Sequence, residues 1–417
     1  MKYIFLFFIL LSTRASAQEL KVGSSQAPIN PPVPSYIAGH SRNRKFTAIH
    51  DSLYVKVLVA DDGKNSLAIL SFDCIGLLYP QLLEIRNEVR KKLKDFRHNQ
   101  IVMSSTHTHA GPDVVGLWGP DQMHSGVDPA YMKLLVNTAA EQVVQAWKNR
   151  KKVTAFFNTG THGEQWVKNI SEPDELDRSL TTIQFKDSKG QSVATLTNFA
   201  CHPTFLDAVH QVVSADYPAG FYRRMDEKAG GVNIFLQGSI GGWVQPEGEP
   251  QTIEQAYRRG TELGNATLQL LTNARPVEGT AIRFQSLVFE MPIKNPGFIQ
   301  LAKAGVIKRD IDTSATTEIA LFNIGNAMFA THPGETVPQM SLETKKLMNT
   351  NGPKMVMGLA MDAMGYIVKP YFFDTSRNIP HAEYLCSMSA GPETMDKVME
   401  VIRGLIVTAM LQGKVPG

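Results

Sequence analysis

Cysteine is scarce, with three residues in 417, at Cys74, Cys201 and Cys386. An odd, sparse set excludes a disulfide-framed scaffold, although one pair could bridge in an oxidising compartment. An excess of charge is lacking too. Forty-two Lys and Arg stand against 39 Asp and Glu, which leaves no electrostatic footprint for nucleic acid or an anionic membrane surface. Beyond the N-terminus no apolar run approaches the roughly 20 residues that span a bilayer. Repeats and low-complexity tracts are missing as well. Stability must therefore come from a conventional core, which a chain of this length can build.

What is present begins with "MKYIFLFFILLSTRASA". Lys2 precedes an apolar run from Tyr3 to Ser12, and the segment closes on Ala15-Ser16-Ala17. That layout predicts a cleaved secretory signal over residues 1–17, and the run is too short for a membrane anchor. No cysteine follows the small residues, which argues against lipid attachment. The expected product is an exported protein, periplasmic or extracellular, with one catalytic domain over 18–417 and no transmembrane segment.

Along that domain, "SSQAPINPPVPSYIAG" reads as an extended lead-in. Strand-like runs then alternate with amphipathic stretches. "SLYVKVLVA" and "SLAILSFD" flank the turn "DDGKN"; "PQLLEIRNEVRKKLKDF" places Leu82, Leu83, Ile85, Val89 and Leu93 at helical spacing. Further strands are expected at "QIVMSST", "KVTAFFNTG", "LTTIQF", "SVATLTNFA", "VNIFLQG", "AIRFQSLVFEMPI", "IALFNIGN", "AMFAT" and "KMVMGLA". Helices are expected at "YMKLLVNTAAEQVVQAW", "AGFYRRMDEKA", "TIEQAYRRGTELGNATLQLL" and "ETMDKVMEVIRGLIVTAML". The alternation predicts an α/β protein of mixed β-sheets covered by helices.

Several strand-like runs end in polar residues. "QIVMSS" leads to Thr106-His107-Thr108-His109, "VATLTNFA" to Cys201-His202, "NIFL" to Gln237-Gly238-Ser239, and "AMFA" to His332-Pro333-Gly334-Glu335. "MVMGLA" runs on to Asp362 and Tyr366. Ligands of α/β proteins bind at the carboxyl ends of strands, so these residues are candidates to converge. Each has a structural alternative. His202 also reads as a core imidazole, Glu335 as a helix N-terminal charge, and Asp216 as a helix N-cap. The methionines of "MVMGLAMDAMGY" serve either as core packing or as the lining of an acyl pocket.

Taken together, "STHTHAGP", "NFACHPT", "VSADYPAG", "HPGE" and "GLAMDAMGYIV" resemble, in order and spacing, the N-terminal catalytic domain of the neutral, non-lysosomal ceramidases. The resemblance implies that His107, His202, Glu335 and Tyr366 hold one zinc ion, a donor set suited to that metal. It implies hydrolysis of the N-acyl bond of ceramide, a sphingolipid, or of a related N-acylated lipid or small amide. His109, two residues from His107 and on the same side if the segment is extended, is expected to transfer a proton or bind the reacting carbonyl. Tyr384 takes the place of a family tyrosine near the reacting group. Asp216 is expected to orient a ligand imidazole or cap a helix, and Asp73 and Ser239 to line the pocket.

Departures accompany the resemblance. In "QGSIGGWVQP" Gly242 replaces the family's aspartate and its serine has no counterpart, so attack by metal-bound water is expected rather than a serine acyl-enzyme. Ile170 follows Asn169 where the family carries arginine. The family's immunoglobulin-like C-terminal domain is expected to be absent. Two other readings stand beside this one: a non-catalytic secreted lipid-binding protein on the same metal-containing scaffold, and a metal hydrolase of the amidohydrolase barrel type.

Overall fold

The computed structural model describes residues 19–207 and 209–413; the expected signal segment, 1–17, lies outside the described residues. The larger sheet has two halves. The first holds β1 (Lys21–Pro28), β2 (Tyr54–Asp61), β3 (Ser66–Phe72) and β4 (Ile101–Ser105); the second holds β5 (Lys151–Thr161), β6 (Ser179–Asp187), β7 (Ser192–Phe199) and β8 (Val232–Gln237). Their order is β8-β7-β6-β5-β1-β2-β3-β4. β3/β4 and β7/β8 are parallel, and the other neighbours antiparallel. Among the described residues, Lys21–Lys152 and Val22–Lys151 are the strand pairs that join the halves. The second half folds back on the first, so that Ser24 and Ser71 hydroxyls donate to Val193 O and Phe235 O.

Helices cover these sheets. α1 (Tyr79–Lys92) and α2 (Pro129–Lys148) pack on the first half; α3 (Tyr217–Lys228) and α4 (Ile253–Thr272) pack on the second and on each other. β3 is buried along its whole length, as expected of a strand with a parallel neighbour.

A second sheet follows, with β9 (Ile282–Pro292), β10 (Ser314–Ile324), β11 (Ala327–Thr331) and β12 (Lys354–Met357) in sequential order. After β9 comes α5 (Pro296–Lys303), and after β11 comes α6 (Pro338–Leu347). α7 (Ala382–Ser387) and α8 (Thr394–Gly413) close the chain, α8 lying on β9 and β10. A buried Arg86–Glu318 pair at 2.6 Å fastens α1 to β10. The extension of β12 runs beside β4, with Met361 N donating to Met103 O at 2.9 Å. That seam brings the end of β4 next to the second sheet.

The mixed-sheet α/β expectation holds, and it excludes the amidohydrolase barrel, whose pair of histidines follows the first strand of a closed parallel barrel. The lead-in reading needs correction: Lys21–Pro28 pairs with β2 at every residue and lies mid-sheet. Its polar residues concealed it. Ser24, Ser25 and Gln26 satisfy main-chain carbonyls and Lys56 instead of offering a β-branched run, and Gly23 passes beneath α2, where a Cβ would lie 2.0 Å from Ala146 O. α5 was also not foreseen, and the helix expected to open at Pro-Gly-Glu is α6, which begins three residues past Glu335. All three cysteines are free thiols.

Candidate metal centre

β4 ends at Ser105, and Thr106 N and His107 N then donate to Phe72 O and Cys74 O. His107 is not extended, contrary to expectation: its φ is +70°, a costly value for a non-glycine residue and one that gathers at functional sites. The His107 and His109 rings nevertheless converge, with centroids 4.9 Å apart. His202, just past β7, lies 5.0 Å from His107 and 5.8 Å from His109. The ring nitrogens of these three histidines include one from each within 4.8 Å of one another.

Glu335 arrives from the second sheet. It pairs in parallel with Tyr366, and Thr336 with Ile367, so two candidate ligands 31 positions apart in the chain are direct neighbours. Glu335 Oε2 lies 3.0 Å from His202 Nε2 and 3.5 Å from His107 Nε2. Tyr366 is buried with its hydroxyl against that carboxylate. All four residues expected to bind metal therefore meet.

The donor set can be tested for fit. His107 Nδ1 lies 2.5 Å from Ile75 O and His202 Nδ1 2.9 Å from Val244 O. A carbonyl only accepts, so each Nδ1 carries the proton. Each ring then turns Nε2 toward a carboxylate oxygen. A cation, proton or metal, has to lie between these nitrogens and the carboxylate, and an imidazole held through its other nitrogen by a main-chain carbonyl is the usual support of a metal ligand. Burial above all, only partly offset by Glu335, depresses the His202 pKa, which frees Nε2 for a metal. Burial also raises the Glu335 carboxyl, yet His107 and His202 together outweigh it and hold the group far below the usual range. Burial first, then Glu335, raises the Tyr366 phenol. The residues fit a metal ion.

His109 differs from its neighbours. Both ring nitrogens are buried without a hydrogen-bond partner. Burial, then repulsion from His107, His40 and His202, drives its pKa well down. Gly39, at φ +96°, packs so closely that a Cβ there would lie 2.4 Å from His109 Nδ1. His40 stacks edge-on against the other side of the ring at 4.9 Å. Tyr384 sits at the rim, 42% exposed, with its ring 6.2 Å from Tyr366 and 5.4 Å from Trp243.

The remaining expected residues stand apart from the cluster. Asp216 accepts from Leu206 N at 2.7 Å and Tyr217 N at 2.6 Å, capping α3; Val244 O, not Asp216, orients His202. Asp73 is bonded to Tyr54 N and Tyr222 hydroxyl within the larger sheet's core. Burial pushes each of these two carboxyls up to about 7. Ser239 is wholly buried and bonds the Thr336 hydroxyl at 2.7 Å. Thr336 in turn bonds His332 Nδ1, and His332 Nε2 bonds the Thr344 hydroxyl. This chain braces the residue next to Glu335.

Gln237 was among the strand-end candidates, but no role was assigned to it. Its amide donates to Thr106 O at 2.8 Å and Cys201 O at 2.9 Å and accepts from Cys201 N. It thereby ties the strand end before His107 to the one before His202.

The cluster opens onto an apolar cavity of about 660 Å³, counting the part open to solvent. His107 and Glu335 reach its wall beside Ile75, Leu78, Phe298 and Met364. Of the methionine-rich segment, Met364 faces the cavity while Met355, Met357 and Met361 are core. Arg309 also lines it, but is neutralised by buried Asp362 at 3.0 Å.

A helix-covered mixed-sheet fold that gathers imidazole, carboxylate and phenol beside an apolar cleft defines the class. Comparison with known proteins supplies the family. The profile described as "Neutral/alkaline non-lysosomal ceramidase, N-terminal" matches residues 21–229, half of the chain. The chain belongs to that family. Neutral ceramidase A of Dictyostelium discoideum is 23% identical over 186 residues, covering 38% of this chain and 24% of its own. Neutral ceramidase 2 of Arabidopsis thaliana is 23% identical over 243 residues, covering 54% of this chain and 32% of its own. The matching stretch thus spans a third or less of these relatives. The solved neutral ceramidase from Pseudomonas aeruginosa superimposes with a TM-score of 0.76 at 15% identity, over 96% of this chain and 75% of that one. A ceramidase solved in complex with C2 gives 0.79 at 13%, over 95% and 76%. These likenesses establish the fold.

Proposed function

We propose that this protein is an exported zinc-dependent hydrolase of the ceramidase type, which cleaves the N-acyl amide bond of ceramide or a related N-acylated lipid. The observation that carries the reading is the convergence of His107 Nε2 and His202 Nε2 on the Glu335 carboxylate beside an apolar cleft. His107, His202, Glu335 and Tyr366 would hold the ion. Zinc in such surroundings supplies a Lewis acid and brings the pKa of water to about 7.

The chain's own residues do the rest. The apolar wall takes up an acyl chain and excludes water from it. His109, kept neutral by burial, accepts a proton and passes it to the leaving amine. Tyr384, at the rim, orients the reacting group. Val244, Trp243 and Ser239 offer no hydroxyl nucleophile, since the only hydroxyl among them is engaged with Thr336; this supports attack by water. Among the described residues no helix is long and apolar enough to cross a membrane, in keeping with a lipid substrate reached from the aqueous side.

The test is metal analysis of purified protein together with fatty-acid release from ceramide, other N-acyl lipids and simple amides, with and without a chelator. One equivalent of metal and chelator-sensitive release are expected. Tight lipid binding without release would replace this reading with the non-catalytic one.

A further inference from the structure

Where the family's serine is missing, the turn Gly241–Val244 does other work. Gly241 N donates to Thr336 O at 2.9 Å, next to Glu335, and Val244 O holds His202 Nδ1. Between them stands Trp243, at φ +59° after Gly242 at φ +79°. Positive φ at a tryptophan is costly and persists only when the surroundings enforce it. Its effect is to turn the indole toward Tyr366, where Nε1 donates to the phenol oxygen at 2.8 Å. The other face of the indole is packed by His381 at 4.2 Å and Tyr384 at 5.4 Å.

We propose that Trp243 is a positioning residue for Tyr366: its N–H fixes the phenol oxygen beside Glu335. The bond holds that buried oxygen where a cation shared with Glu335 would meet it, and such supporting hydrogen bonds set the orientation of metal ligands. This inference rests on the metal-site reading above.

A double-mutant cycle tests it, with two readouts. Zinc affinity is measured by chelator competition, which needs no turnover and so separates this proposal from the choice of substrate; kcat is measured on the best amide. Trp243→Phe keeps an aromatic ring against His381 and Tyr384 but removes the donor. It is expected to weaken zinc binding or kcat by about 10- to 100-fold, as loss of a ligand's supporting bond does. In the Tyr366→Phe background the same change should cost less than about 2-fold. Equal losses in both backgrounds, or none in the wild type, overturn the proposal. Should Trp243→Phe fold poorly, benzothienylalanine at position 243, which replaces the N–H by sulfur at the same size, serves in its place with the same expected outcomes.

Discussion

His332 opens the His-Pro-Gly-Glu segment and is wholly buried, with both ring nitrogens on threonine hydroxyls. Burial first, and Lys345 second, push its pKa down to about 3. The unfolded ring has a pKa near 6.5. Between these values the unfolded chain binds a proton that the folded one refuses, so stability rises with pH across that window. The contribution is complete above about pH 6.5 and is lost as pH falls toward 3. From pH 7 to pH 5 the linkage amounts to about 2 kcal/mol, and to pH 4 about 3 kcal/mol. His332→Asn retains a partner for Thr336 and cannot titrate. Urea unfolding of both proteins should therefore be followed from pH 7 to 4, with chelator throughout because metal binding is itself proton-coupled. The stability difference between variant and wild type should close by about 2 kcal/mol by pH 5. Parallel curves, within about 0.5 kcal/mol, would refute a neutral buried ring at this position. The same acid step should loosen Thr336 and hence Glu335.

Other expectations follow from single contacts. His109→Ala should abolish turnover while zinc content stays close to wild type; equal loss of metal would make His109 a ligand. Gly39→Ala puts a methyl 2.4 Å from His109 Nδ1 at φ +96°, and kcat should drop at least about 10-fold with metal affinity unchanged, since a displaced catalytic group of about 1 Å costs up to about 100-fold. Asp216→Ala removes the α3 cap and leaves Leu206 N unpaired, costing about 2 kcal/mol in unfolding experiments. Its zinc affinity should match wild type, and a large fall would restore the role of orienting His202.

How far the sequence revealed this arrangement depended on the range of the forces involved. Strands bounded by turns, such as Ser66–Phe72 and Val232–Gln237, were legible because burial on both faces writes a continuous apolar run. His107, His202, Glu335 and Tyr366 were legible as polar residues at the ends of such runs, given the family resemblance. β1 was not, because its serines and Gln26 take partners 30 to 169 positions away. The role of Gln237 and the whole of Trp243 were hidden for the same reason: nothing local requires an amide or an indole there. Asp216 was visible as an acidic residue before a helix, and local capping explains it. The positive φ of His107 could not be read at all, since no local signal marks a histidine for that conformation.

The two halves of the ligand set belong to different parts of the fold. His107 and His202 stand at ends of the larger sheet, clamped together by Gln237, whereas Glu335 and Tyr366 are paired on a strand of their own beside the second sheet. Without a metal ion, the two halves meet at the site only through the contacts of His202 Nε2 and His107 Nε2 with Glu335, at 3.0 and 3.5 Å. They lie on the seam between the sheets, where Met361 N–Met103 O and Arg86–Glu318 also hold. A metal ion shared by ligands from both halves would bond them directly, so binding should tighten the seam as well as fill the site. Ligand linkage gives about 2.7 kcal/mol of added stability at a hundredfold excess over Kd. The protection from hydrogen exchange should appear at both sheets' edges along that seam, at Met103 and at Leu359–Met361, rather than only in the loops that carry the ligands.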